Sequence, residues 1–142
     1  MPTSETLERF IARVEQNAHA EAVQEFYTAD ASMQENQSAA RVGRDNHVAS
    51  ERRVMARAQS VTSECVRPVL VNGDPVVIRW IFHFEWRDGT FTHLEELAWQ
   101  RWQGERIASE ISLRPGAAGA CEAACLTRCY IINSNLCILD EG

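Results

Sequence analysis

Between Val76 and Trp86 the chain alternates with a period of two. The even positions are Val76, Ile78, Trp80, Phe82, Phe84 and Trp86, and the odd ones Val77, Arg79, Ile81, His83 and Glu85. This pattern predicts a strand with one face of large apolar groups and one mixed face. Arg87-Asp88-Gly89 reads as a turn, and a second strand follows from Thr90 to Trp102, carrying Glu95, Glu96, Trp99 and Trp102. Together they predict a long hairpin in a curved sheet, its aromatic groups and carboxylates around a pocket. Two closures of the turn are open. A three-residue loop pairs Trp86 with Thr90 and puts Leu94, Glu96, Ala98, Gln100 and Trp102 on the aromatic face. A two-residue loop, Asp88-Gly89, puts Phe91, His93, Glu95, Leu97 and Trp99 there instead, because a slip of one residue exchanges the faces.

Upstream of the hairpin the apolar spacing changes to three and four. Leu7, Phe10, Ile11 and Val14 form the stripe of a helix capped by Thr3 or Ser4 and running to about Gln16. After a break at Asn17-Ala-His19, a second helix from about Ala20 to Tyr27 buries Val23, Phe26 and Tyr27, and the short connection predicts an antiparallel pair. Asp30 to Glu35 is a short extended piece followed by a polar loop. A third helix, from a cap at Asp45 to about Ala58, keeps Glu51, Arg52, Arg53 and Arg57 on its wet side. Val61 to Asn72 alternates as a strand, Asn72-Gly73-Asp74 turns into the hairpin, and a last strand runs from Arg106 to about Leu113. Three helices, one short strand and four antiparallel strands predict an α+β domain with the helices on one sheet face. The domain spans 1–114. Residues 115–142 read as a Cys-rich C-terminal extension, since four of the five cysteines fall in the last 22 residues.

Composition narrows the partners. A chain of 142 residues supplies a single core that buries about two thirds of the unfolded surface. With 45% hydrophobic and 24% charged residues and a formal net charge of -6, it is expected to be globular, without a membrane span. The acidic balance argues against nucleic acid, whose phosphates need clustered basic groups. All fourteen basic residues are arginine, which leaves no lysine for Schiff-base chemistry. Met1-Pro-Thr-Ser-Glu5 lacks the basic region and apolar run of a secretion signal. A cytoplasmic location and free thiols are therefore expected. Cys121, Cys125 and Cys129 have three residues between each, not the two of a zinc knuckle.

Three stretches carry a resemblance: Phe26-Tyr27-Thr-Ala-Asp30-Ala-Ser-Met-Gln-Glu35, the Gly43 start of the third helix, and Glu96-Leu-Ala-Trp-Gln-Arg-Trp-Gln-Gly-Glu-Arg-Ile107. They resemble the nuclear transport factor 2-like superfamily, which includes ketosteroid isomerases, SnoaL-type polyketide cyclases and limonene epoxide hydrolases. The likeness covers about residues 3–113, and it identifies a fold better than a reaction. It implies a cone: a strongly bent antiparallel sheet wrapped around the N-terminal helices, with a deep apolar pocket walled by Trp80, Phe82, Phe84 and Trp86. It favours the three-residue closure, with Trp102 inward, and implies a homodimer through the convex face that carries Arg79, His83 and Glu85. It also sets Glu35 where ketosteroid isomerases carry their carboxylate base and matches Tyr27 to a hydrogen-bonding tyrosine. The chain departs from that pattern at Ala98, where the isomerases hold a protonated aspartic acid, and at Phe10, in place of a donating tyrosine. Ketosteroid isomerisation by the usual mechanism is disfavoured.

The candidate chemistry is that of carboxylates in an apolar cavity. Glu35 is the candidate base, its pKa raised by desolvation. Glu96 joins it under the three-residue closure, and Glu110 does so, opposite Ala98, if Gln103 to Glu105 form the next turn. Carboxylates at close range cannot all ionise, so one would hold a proton and serve as the acid. That pairing suits an isomerase, a dehydratase or an epoxide-opening hydrolase acting on a small hydrophobic or aromatic molecule. The competing arrangement neutralises the carboxylates with Arg79 or Arg106 and describes a non-catalytic ligand-binding or dimerisation module. His83 and His93 would face each other on the convex side, with no third metal ligand at suitable spacing. Neither a metal nor another cofactor is expected.

Overall fold

The structure is a computed structural model describing residues 1–115. The predicted extension, apart from Pro115, lies outside the described residues. Helix α1 (Ser4–Glu15) starts where Thr3 accepts the Thr6 amide on its side chain, and it buries Leu7, Phe10, Ile11 and Val14. Helix α2 (His19–Phe26) begins one residue earlier than the apolar spacing suggests, and Tyr27 already has extended backbone. Strand β1 therefore covers Tyr27–Glu35, longer than the piece predicted from Asp30. The two-residue β2 (Arg41–Val42) leads to Gly43, whose φ of 104° is one that L side chains rarely adopt. Gly43 and not Asp45 is the cap of helix α3 (Arg44–Arg57).

Strands β3 (Ala58–Val71), β4 (Pro75–Trp86), β5 (Phe91–Gln103) and β6 (Arg106–Leu113) form a meander in which each pairs antiparallel with the next. The β3–β4 ladder shifts between Val66 and Leu70, around Pro68, which has no amide to donate. The open six-stranded sheet has the order β2-β1-β6-β5-β4-β3. Its one departure from the predicted antiparallel pattern is β1, which pairs parallel to β6 with Met33 opposite Glu110. The meander returns the chain to β1 in the direction β1 itself ran, so the sheet is mixed. Three helices on this sheet make the α+β, cone-like architecture that the resemblance implies.

The turn after β4 closes with three residues. Trp86 donates its amide to Thr90 at 2.8 Å, Gly89 donates to Trp86 at 2.9 Å, and Gly89 takes φ 86°, the left-handed residue such loops require. Phe82 consequently faces Leu94 and Trp80 faces Glu96. Glu96, Ala98, Gln100 and Trp102 are buried, while Phe91, Leu97 and Trp99 are exposed on the other face. Among the described residues no helix is long and apolar enough to cross a membrane.

Candidate active site

Strand β4 supplies one wall of a cavity of about 360 Å³. Trp80 stacks on Phe82 with ring centroids 5.7 Å apart, and Phe84 stacks on Trp86 at 4.9 Å. Phe10, Val14, Val23 and Val54 face these rings from the helices, with Tyr27 and Met33 from β1. Trp102 points the same way but does not line the cavity. It is fully buried, edge-on to Phe10 at 5.9 Å, and it is Phe10 that borders the space.

Among the described residues four carboxyl groups reach this cavity: Glu35, Glu51, Glu96 and Glu110. Glu110 is buried. It sits opposite Gln100 rather than Ala98, because the ladder shifts between Arg101 and Trp102 and only Gly104-Glu105 separate the paired Gln103 and Arg106. Its Oε2 accepts from the Tyr27 hydroxyl and from Gln100 Nε2, each at 2.7 Å. Trp102 Nε1 donates to Gln100 Oε1 at 3.0 Å, which fixes the direction of that amide. Burial, and then the neighbouring charge of Glu96, raise the pKa of Glu110, against hydrogen bonds that favour its ionised form. Burial likewise holds the Tyr27 hydroxyl well above its ordinary range, with Glu110 adding to the effect, so Tyr27 is a donor.

Glu96 is buried and accepts from Arg114 Nε at 2.7 Å. The same guanidinium reaches Glu35 at 3.4 Å, and Arg41 Nη2 reaches Glu35 from the other side at 3.1 Å. Glu35 thus lies at the cavity mouth with 45% of its side chain exposed, between two cations, where an apolar surrounding was expected. The arginines anticipated as neutralising groups are engaged elsewhere: Arg79 holds Glu95 at 2.7 Å on the outer face, and Arg106 donates to the Glu25 carbonyl at 3.0 Å. Arg114, just past the last strand, takes their place.

Glu51 was assigned from sequence to the wet side of α3 and instead lines the cavity, beside Ser50 and Val54. Burial, followed by the charges of Glu110 and Glu96, raises its pKa to about 7, against a smaller opposing pull from Arg114 and Arg41. A spacing of three, Val48, Glu51, Val54, is the signal that would have placed it on the inner face. That signal was weak because α3 buries only His47 and Val48. His19, read as part of a helix break, is the second residue missed. Its ring lies edge-on to Phe82 at 5.4 Å, Nε2 is 2.8 Å from Ser63 Oγ, and Nδ1 is 3.8 Å from Glu51 Oε2. Burial holds its pKa below the ordinary value.

On the outer sheet face His83 and His93 stand opposite one another, Nδ1 to Nδ1 at 3.1 Å. Among the described residues no group of three or more His, Cys, Asp and Glu side chains is placed to hold a metal ion.

A helix-backed cone-like sheet around a cavity with titratable groups defines a nuclear transport factor 2-like protein. More narrowly, residues 7–110 match the SnoaL-like domain, and the chain belongs to that family. No curated protein matches it in sequence. Solved structures are similar in fold. One is a protein of ketosteroid isomerase-like fold from Catenulispora acidiphila DSM 44928, crystallised with trimethylamine. It is 20% identical, with a TM-score of 0.64 over 78% of this chain and 85% of the other. Another is a limonene epoxide hydrolase-like epoxide hydrolase from M. tuberculosis, 12% identical, with a TM-score of 0.65 over 78% of this chain and 80% of the other. A third is a nuclear transport factor 2-like protein of unknown function from Burkholderia pseudomallei K96243, 12% identical, with a TM-score of 0.65 and coverage of 78% and 88%.

Proposed function

We propose that the chain binds a small, largely apolar or aromatic molecule in this cavity and moves a proton on it by general acid/base catalysis, as an isomerase, a dehydratase or a hydrolase does. The observation that carries the reading is the position of Glu51 on an aromatic-walled cavity, where burial and then the charges of Glu110 and Glu96 push its pKa up to about 7. A group poised there accepts and returns a proton at little cost in either direction. Glu110, held by Tyr27 and Gln100, is the candidate partner acid. Glu96 and Glu35 are neighbours of Glu51 at the cavity, fixed by Arg114 and Arg41, and the charge of Glu96 helps to keep the Glu51 proton in place. The epoxide hydrolase of similar fold is consistent with this reaction class.

The test begins with the cavity's own tryptophans. Small aromatic ketones, epoxides and hydroxysteroids that bind should quench the fluorescence of Trp80 and Trp86. For any that turn over, Glu51→Gln should lower kcat by about 10²- to 10⁴-fold, the usual contribution of one acid/base group. Unchanged turnover in that variant would remove Glu51 from the mechanism. Binding without turnover of any class would favour a carrier, a reading supported by the pairing of Glu35 and Glu96 with arginine.

The same reading includes a homodimer through the outer face of the sheet. Leu97, Trp99, Ile111 and Leu113 are exposed there, with Trp99 opposite Ile111 and Leu97 opposite Leu113 in adjacent strands. An apolar patch of this kind on a soluble domain marks an association surface. Trp99→Arg should convert a dimer to a monomer in sedimentation velocity. A native protein that sediments as a monomer at every concentration would end this part of the reading.

A further inference from the structure

His19 stands out among the polar groups of the cavity because the hydrogen bonds behind it determine what it can bind, and Glu51 is the carboxyl group it faces. Ser63 Oγ donates its single hydrogen to Asn17 Oδ1 at 2.8 Å. It therefore cannot also donate to His19 Nε2, 2.8 Å away on its other side, so Nε2 must carry a proton and donate to Ser63. In the neutral imidazole the other nitrogen, Nδ1, then has only a lone pair. That nitrogen faces Glu51 Oε2 at 3.8 Å, too far for a direct hydrogen bond, but an oxygen about 2.8 Å from each atom bridges the gap. Phe82, edge-on to the same imidazole, and Phe10 and Val23 across the space give the bridging group an apolar attachment.

We propose that His19 Nδ1 and Glu51 Oε2 form a two-point receptor for a hydroxyl group, phenolic, enolic or alcoholic, on the small molecule that the cavity binds. The inference rests on the ligand-binding reading above and names the substrate class. A hydroxyl donates its hydrogen to Nδ1, which can only accept, and offers a lone pair to Glu51 when Glu51 is protonated. An ether, an epoxide or a ketone has no hydrogen for Nδ1, so binding one would bury that nitrogen without a partner, at a cost comparable to a lost hydrogen bond. A carboxylate is repelled by the surrounding carboxyl groups. An ammonium group satisfies both atoms only when Glu51 is ionised. In a reaction, the hydroxyl proton passes to Nδ1 and its electron pair stays on the oxygen, so a phenol or enol becomes a phenolate or enolate that accepts a hydrogen bond from protonated Glu51, with no co-reactant. Ser63 acts as a positioning residue, because it touches the imidazole and not the ligand, and Asn17 acts through Ser63.

The experiment compares 2-naphthol, 2-methoxynaphthalene and 2-naphthylmethylammonium by tryptophan quenching on the full chain at about pH 6, below the Glu51 pKa of about 7, so that Glu51 is mostly protonated. The naphthol should bind about tenfold more tightly than the ether, the worth of one such hydrogen-bonding arrangement. His19→Leu and Glu51→Leu should each remove that preference while still binding the ether. Nitrogen-15 NMR of the unliganded protein should show His19 protonated at Nε2 and bare at Nδ1, and Ser63→Ala should mix the tautomers. Equal binding of naphthol and ether, tighter binding of the ammonium compound, or an Nδ1-protonated His19 would overturn the receptor while leaving the cavity reading intact. If none of the three ligands binds, the cavity reading itself fails and the receptor falls with it. The NMR result does not depend on whether the variants fold.

Discussion

At pH 8, Glu51→Gln should be more stable than the native protein by about 3 kcal/mol, since one pKa unit corresponds to about 1.36 kcal/mol. Below pH 4 the two should be equal. In the unfolded chain this carboxyl titrates at the ordinary value of 4.5, and in the fold burial and the charges of Glu110 and Glu96 raise it to about 7. Between those values the folded state holds a proton that the unfolded state has released. Stability therefore falls as pH rises through the window, and the full cost is present above about pH 7. Glutamine has the same shape and cannot ionise, so it escapes the cost. The attraction of Arg114 and Arg41 for ionised Glu51 is already contained in the value of about 7. Urea unfolding at pH 4, 6 and 8 measures the difference, and a gap that does not grow with pH would sink the account. The substitution expected to stabilise the fold is also the one expected to stop proton transfer. Such a trade is usual where a site is held in an unfavourable state for its chemistry.

Much of the sheet was legible because its signals are local and repeated. Alternation along β4 identified the inward aromatic face. The residues of the turn left two closures open, and the resemblance favoured the three-residue one, which sends Glu96 inward and turns His93 outward. What could not be read is set by contacts distant in sequence. β1 pairs parallel to β6 across a separation of more than seventy residues, and no local pattern announces a parallel partner. The shift between Arg101 and Trp102, which moves Glu110 from Ala98 to Gln100, is likewise a property of the ladder and not of either strand.

The site was harder to read than the fold for a related reason. The inner face of a helix is marked by its apolar stripe, and α3 has almost none, so little in its own sequence turns Glu51 away from water. His19 lies at a helix start whose role becomes visible only when Ser63, 44 residues away, arrives beside it. Arg114 falls after the last strand, in a stretch that composition alone marks as the end of the domain. In each case the residue's charge was plain in the sequence, and the direction it faces was decided by tertiary packing.

Arg114 carries the second large prediction. Arg114→Met should destabilise the protein at pH 8 by about 3 kcal/mol, the low end of what breaking a buried ion pair costs. The low end applies because a third of the arginine side chain meets solvent while Glu96 is almost wholly enclosed. Without the guanidinium, Glu96 remains buried near Glu51 and Glu110 with no cation, and the crowded carboxyl groups can relieve the repulsion only by taking up protons. The loss should therefore shrink as pH falls toward 5. Arg114 also pulls the pKa of Glu51 down, so in the variant that pKa should rise above its native value of about 7. Any pH–rate profile that depends on Glu51 should then move to higher pH. Adding Glu96→Gln to Arg114→Met removes the stranded charge and should recover most of the stability, an interaction that a double-mutant cycle reads directly. If the double variant is no more stable than Arg114→Met alone, the arginine is not there to neutralise Glu96, and its hold on the cavity must be assigned to Glu35 and the mouth.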